Sequence, residues 1–314
     1  MYSATGIDAS NFVGRVDLAF MVILGLAIFF LVSLTTLMVI FIVKYNSKKH
    51  KKATQIEGST KLELLWTIIP TLLALLMFYF GWAGWKPMKE PPKDAREVTS
   101  IARMWSFAFQ YENGKMTNEL ILPVNEPVVI NLQAVDVIHS LYIPAFRVKE
   151  DMVPGKIKQM WFRPQALGTY DMFCAEYCGL QHSYMESTVK VVTKEEFEQW
   201  YVDTTAVATT EEEIPGAEGL AILRTQGCNA CHTSDGSKLV GPSYLGLWGE
   251  QVVVEQDGQD VTLTVDREYI KNSIYNPNLQ ITKGYQKGLM QSYEGMVTED
   301  QIDKIIEYLK TLEE

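Results

Sequence analysis

Basic residues are scarce beside acids: 28 Lys and Arg stand against 38 Asp and Glu, a formal charge of −10 over 314 residues. That balance argues against a nucleic-acid partner, whose phosphates call for clustered cations. Charge of either sign is missing altogether from two stretches. None occurs among the 26 residues between Asp17 and Lys44, nor from Leu64 to Trp85. As a helix the first run extends roughly 39 Å, enough to cross a bilayer core of about 30 Å with tilt. No basic segment precedes it and its apolar core is long, which argues against a cleaved signal peptide. Pro70 interrupts the second run, and membrane helices tolerate proline near their ends. Membrane helices are therefore expected at about 17–43 and 63–85. The segment joining them holds Lys44, Lys48, Lys49, Lys51, Lys52 and Lys61 against the single acid Glu57, so the positive-inside rule sets it in the cytoplasm. Both termini and everything after Trp85 then lie outside the membrane, in an oxidising compartment.

No internal repeat organises the remainder. From Glu97 to about Val192 short β-branched and aromatic runs, such as Val128-Val-Ile-Asn-Leu and Lys158-Gln-Met-Trp-Phe, are separated by Asn113-Gly114 and Pro154-Gly155. That is the pattern of an all-β sandwich or barrel. The segment 203–214 is polar, acidic and small, and reads as a linker. Helical patterns follow it. Ile302, Ile305, Ile306 and Leu309 recur at helix spacing behind Thr298 as cap, with Glu299 and Asp300 in the first turn. The expected division is 1–93 for an N-terminal tail and the helix hairpin, 94–202 for the β domain, 203–214 for the linker and 215–314 for a helical domain.

Histidine and cysteine are equally sparse, four of each, and most of them cluster. Cys228-Asn-Ala-Cys231-His232 is the C-x-x-C-H pattern for covalent attachment of a c-type haem. Two thiols three apart can bond both haem vinyl groups while the adjacent histidine reaches the iron. A redox disulfide or a zinc half-site would not require that histidine. The other pair stands in Cys174-Ala-Glu-Tyr-Cys178-Gly-Leu-Gln-His182-Ser-Tyr-Met185. Thiolate, imidazole and thioether together form a soft ligand set suited to copper. Two bridging thiolates could hold two coppers if each metal had its own nitrogen, and His139 is the histidine left outside the cytoplasmic loop and the haem motif. A short-range disulfide between Cys174 and Cys178 is the alternative, and it leaves His139, His182 and Met185 without a role.

At these residues the chain resembles subunit II of cytochrome c oxidase: Cys174-x-Glu176-x-Cys178-x-x-x-His182-x-x-Met185 is similar to its dinuclear CuA motif. Asp136-Val-Ile-His139-Ser140, Lys149-x-Asp151-x-x-Pro154-Gly155 and Glu63-x-x-Trp66-Thr-x-Ile-Pro70 resemble the same family in the same order. The resemblance implies a two-helix transmembrane hairpin, an all-β cupredoxin-like domain and, fused behind it, an all-α class I cytochrome c domain. It implies that Cys174 and Cys178 bridge the coppers, with His139, His182, Met185 and the Glu176 carbonyl completing the set. The Glu176 carboxylate would reach a magnesium shared with subunit I. Trp105 would be the point of electron entry, although Phe107 stands where the family commonly has a second tryptophan, and a plain core role for Trp105 stays open. Glu63 would be the entrance of a proton channel continuing into subunit I, or simply an interfacial carboxylate.

The cytochrome segment carries Val240-Gly-Pro-Ser-Tyr-Leu-Gly246, similar to the class I stretch whose proline packs by the haem histidine. With no histidine to spare, a methionine is the expected sixth iron ligand. Met290 follows Gly284-Tyr285 as class I ligands do, which makes it the better fit than Met296. The implied function is the electron-transfer subunit of a proton-pumping terminal oxidase in a bacterial inner membrane. Electrons would come from cytochrome c or an upstream quinol-oxidising complex, pass haem c and CuA, and reach the oxygen site of subunit I. Alternatives are the CuA-bearing subunit of a nitric oxide reductase, a quinol oxidase subunit that keeps the fold for assembly, and a free-standing cytochrome.

Overall fold

The computed structural model describes residues 8–52, 55, 57–202 and 215–312, so the expected linker lies outside the described residues. Two helices open the chain, α1 (Val13–Lys44) and α2 (Thr60–Trp85). Both begin before the uncharged runs do: Arg15, Lys61 and Glu63 sit in the first turns and Asp17 just beyond, where charged side chains can still reach water. Their apolar side chains are not covered by protein: Leu31 and Phe78 are each 68% exposed. A bilayer is the medium such surfaces need, and both helices are long and apolar enough to cross one.

Ten strands follow: β1 (Arg96–Arg103), β2 (Ser106–Tyr111), β3 (Met116–Thr117), β4 (Leu120–Pro123), β5 (Val128–Ala134), β6 (His139–Ile143), β7 (Val148–Met152), β8 (Lys158–Phe162), β9 (Gly168–Cys174) and β10 (Glu186–Val192). They form two five-stranded sheets in the orders β3-β2-β1-β5-β8 and β4-β10-β9-β6-β7. Alternation decides which face is inside. Along β1, Val98, Ser100 and Ala102 are buried while Glu97 is exposed. Phe109, Leu120, Ile130, Leu132, Leu141, Ile143 and Phe146 fill the space between the sheets, each contributing roughly 1.5–3 kcal/mol by burial. A short helix, α3 (Lys194–Val202), closes one end, held by Arg96, which bonds Glu126 at 2.8 Å and lies over the Phe197 ring at 4.8 Å.

The sandwich is fastened to the helix ends. Phe12 meets Trp161 edge-on at 4.9 Å, Arg147 pairs with Asp17 at 2.7 Å, and Trp161 Nε1 donates to the Pro87 carbonyl at 2.9 Å. The domain therefore stands where α1 begins and α2 ends.

The C-terminal unit contains α4 (Ala217–Thr225), β11 (Gln251–Gln256), β12 (Gln259–Thr264), α5 (Arg267–Tyr275), β13 (Ile281–Thr282) and α6 (Glu299–Leu309). Thr298 and Gln301 form a reciprocal capping box at the start of α6. Helices α4 and α6 cross at glycine, since a Cβ on Gly219 would lie 2.2 Å from the Lys304 carbonyl oxygen. The unit is helical as expected, and it adds a three-stranded sheet, β12-β11-β13, that the sequence reading did not anticipate.

Candidate functional site

The loop between β9 and β10 gathers donors because it is pinned at both ends: Cys174 N donates to the Met185 carbonyl at 3.0 Å, closing the segment on itself. Inside that closure Cys174 Sγ and Cys178 Sγ stand 3.8 Å apart, nearly twice the roughly 2.05 Å of a disulfide. The short-range disulfide considered from sequence is thus not formed. His182 Nδ1 lies 3.5 Å from Cys178 Sγ, and Met185 Sδ lies 3.7 Å from the same sulfur. His139, at the start of β6 and wholly buried, brings Nδ1 to 3.9 Å from Cys174 Sγ. The Glu176 carbonyl oxygen accepts from the Cys174 thiol at 3.2 Å. All six sequence-predicted donors are therefore brought together, and His139, Cys174 and Cys178 alone place three ligand atoms within 4.8 Å of one another.

A further residue of this centre, Asp136, has a role that its sequence context alone does not assign. Asp136 accepts from His139 Nε2 at 2.8 Å and from the Met104 amide at 2.7 Å. Holding Nε2 turns Nδ1 toward the sulfurs, the arrangement by which a carboxylate orients a metal-binding imidazole. An acid three residues before the histidine was the available signal. Burial tends to raise the Asp136 carboxyl, but the bonds from His139, Met104 and Val137 outweigh it and bring it below the usual range. The thiols split in the same way. Burial would raise both, yet the hydrogen bond from His139 lowers Cys174, while burial and the neighbouring Cys174 charge push Cys178 up.

The second centre lies in the C-terminal unit. Gly227, in a left-handed conformation, starts a tight turn that presents Cys228 and Cys231. His232 Nδ1 donates to the Pro242 carbonyl at 2.7 Å, and Tyr244 stacks on the ring at 5.1 Å between centroids. Gly241 lies so close that a Cβ there would come 2.4 Å from His232 Cε1. Burial pushes the imidazole below its ordinary value, so it is neutral with Nε2 free as a ligand atom. Burial also pushes Cys228 up to about 12 and Cys231 up to about 11. A cleft opens in front of them, and Met290 lines it. Met296 is elsewhere engaged, its sulfur 2.7 Å from Arg103 Nη2.

The copper domain and the C-terminal unit meet at a junction that nothing in the sequence reveals. Arg103 and Met104, from the end of β1, line the same cleft as Cys228, Cys231 and His232. Cys231 and Val240 pack against the core of the β sandwich. A Cβ on Gly227 would lie 2.0 Å from Ser106 Oγ. Trp105 is buried and donates from Nε1 to the Cys178 carbonyl at 3.2 Å. Phe107 is a core residue stacked near Phe109. Glu63 sits in the first turn of α2, and the Glu176 carboxyl side chain is on the surface of its loop.

Family models match along the chain in this order: the transmembrane domain of cytochrome c oxidase subunit II at residues 7–81, its periplasmic domain at 108–192, and cytochrome c at 216–313. The two subunit II models together span just over half of the chain. The chain belongs to the cytochrome c oxidase subunit II family. Among relatives, subunit 2 of Alkalihalophilus pseudofirmus is 28% identical over 303 residues, covering 92% of this chain and 85% of that protein. Subunit 2 of Bacillus sp. strain PS3 is 28% identical over 290 residues, covering 85% and 78%. The solved periplasmic domain of oxidase subunit II from Bradyrhizobium japonicum is 28% identical, covers 37% of this chain and 98% of its own, and aligns with a TM-score of 0.35. This member of the subunit II family is thus a membrane-anchored oxidase subunit with a fused cytochrome c domain, and the family binds copper and haem c.

Proposed function

We propose that the chain carries electrons from a cytochrome c or an upstream quinol-oxidising complex, through haem c and dinuclear CuA, to the oxygen-reduction site of subunit I. The observation that carries the reading is the donor set: two thiols 3.8 Å apart, each with its own imidazole, flanked by the Met185 sulfur and the Glu176 carbonyl. A single blue-type copper takes two imidazoles, one thiolate and a thioether, and would leave the second cysteine idle. When bound, the copper pair and the haem supply one-electron redox chemistry that side chains lack. The chain's own residues hold and orient. Asp136 fixes His139, the Pro242 carbonyl fixes His232, and burial shields His139, Cys174, Cys178 and Met185 from water.

The remaining assignments follow from position. Met290 is the sixth haem ligand, since it lines the cleft while the sulfur of Met296 faces Arg103. Trp105 links the junction to the copper loop through its bond to Cys178. Exposed Tyr177, Leu180 and Tyr184 ring that loop as an apolar face for subunit I, and the nearby Glu176 carboxylate is available to a shared magnesium. Glu63, at the lysine-rich end of α2, is the proton-channel entrance. The functional units are 94–202 for copper and 215–314 for haem, with 203–214 between them, and both lie outside the membrane. Copper analysis of the purified chain tests the reading: two ions per chain are expected, and one ion with a mononuclear blue spectrum would refute it. Cys178→Ser should keep covalent haem while abolishing electron delivery to subunit I.

A further inference from the structure

Arg103 is the one side chain of the junction whose chemistry neither centre explains. It is only 8% exposed, and its Nη1 has no hydrogen-bond partner. Buried guanidinium groups are ordinarily paired, because an unpaired one forfeits its hydration without return. Among the described residues no carboxylate pairs with it. Instead the group reaches out of β1 into the C-terminal unit, lies over the Tyr293 ring at 4.8 Å and directs Nη2 to Met296 Sδ at 2.7 Å. Both partners belong to the segment between Met290 and α6. The free Nη1 belongs to a side chain that lines the haem cleft.

The two residues that follow explain why this position matters. Met104 lines the cleft too, and its amide donates to Asp136, the residue that holds His139. Trp105 donates to the backbone of Cys178. Three consecutive residues thus touch the haem cleft at one end and the supports of the copper donors at the other. We propose that Arg103 is the positioning residue of this junction, which clamps the cytochrome domain onto the copper domain at the Met104–Trp105 strap. The proposal rests on the electron-transfer reading above. With both groups bound, the step it would serve is transfer of one electron from the haem held by Cys228, Cys231 and His232 to the copper held by the β9–β10 loop, with no bond made or broken.

Charge and geometry have opposite effects on that step. A fixed positive charge beside the cleft disfavours the oxidised, more positive haem, so removing it lowers the haem potential. A lower donor potential adds driving force and would speed the transfer. Loss of the clamp would slow it. The test uses the full chain loaded with haem and copper, comparing the parent with Arg103→Gln and Arg103→Lys. Bound haem and copper absorption are checked first in the parent; their absence there would sink the underlying reading rather than this one. With both present, Arg103→Gln should lower the haem potential yet slow internal transfer by about tenfold or more, as small misplacements do. Amide exchange at 104–106 should rise at the same time. Arg103→Lys keeps the charge without the planar fork, and should restore the potential but not the rate. Unchanged or faster transfer in Arg103→Gln, or parental exchange at 104–106, overturns the proposal.

Discussion

At the scale of single residues, the copper donors were legible because five of the six lie within twelve positions, on one loop that closes on itself. His139 was found by elimination, since so few histidines exist. Asp136 and Arg103 escaped for a physical reason: their roles depend on partners brought together by the fold, and no spacing rule reports such contacts. Asp136→Asn keeps the shape of the side chain and removes its charge, so His139 loses its anionic anchor. Copper affinity should fall roughly 10–100-fold, the usual cost of such a supporting residue, while covalent haem is unaffected; competition titration with a copper chelator measures it. Met290→Ala should lose the sulfur-to-iron charge-transfer band and lower the haem potential, because thioether ligation raises it. Met296→Ala should keep the band. The reverse pattern would exchange the two assignments.

Among elements, the membrane helices and α6 were readable from charge-free length and from a cap followed by periodic isoleucines. The sheet of the cytochrome unit was not, although Asp257-Gly258 between β11 and β12 is a hairpin signal flanked by Val252-Val-Val254 and Val261-Thr-Leu263. Strand order and pairing in the sandwich were equally invisible, because parallel partners such as β1 and β5 are distant in sequence. The crossing of α4 and α6 makes a sharp prediction. Gly219→Ala must push the helices apart, costing roughly 3 kcal/mol, so the haem domain should melt earlier while copper absorption persists. Gly81→Ala, with nothing near its added carbon, should be neutral. The α3 clamp has its own pH signature. Burial would raise Glu126, but bonds from Lys194 and Arg96 win and hold its carboxyl below the ordinary value. A depressed carboxyl stabilises fully above its unfolded pKa, about 4.3, and loses that stabilisation as pH falls through the folded value. Acid melting curves of Glu126→Gln should therefore lack the part of the pH dependence that the parent shows below about pH 4.3.

For the molecule as a whole, domain boundaries followed from composition, but nothing in the sequence foretold how the cytochrome unit docks, since the contact surfaces carry no period. Their chemistry predicts how the two electron steps respond to salt. Among the described residues no ion pair joins the copper domain to the cytochrome domain. The junction is made instead by Arg103 on an aromatic ring and a thioether, by Gly227 against Ser106, and by apolar packing of Cys231 and Val240. Such contacts lie out of reach of mobile ions. The outer surface is different: residues 215–314 carry 15 acidic and 8 basic side chains, a net charge of −7 before any haem carboxylates. A basic donor approaching that surface is steered by a field that ions damp over about 10 Å at 0.1 M salt and about 3 Å at 1 M. Raising salt across that range should therefore slow reduction of the haem by an added basic cytochrome by about tenfold or more. Internal transfer to copper, followed after rapid reduction of the haem, should change by less than about twofold, because its geometry is held by unscreened contacts. If donor reduction proves indifferent to salt, the acidic surface is a solvated face with no docking role. If internal transfer instead falls in parallel with it, the domains are held by charge rather than by the packed junction.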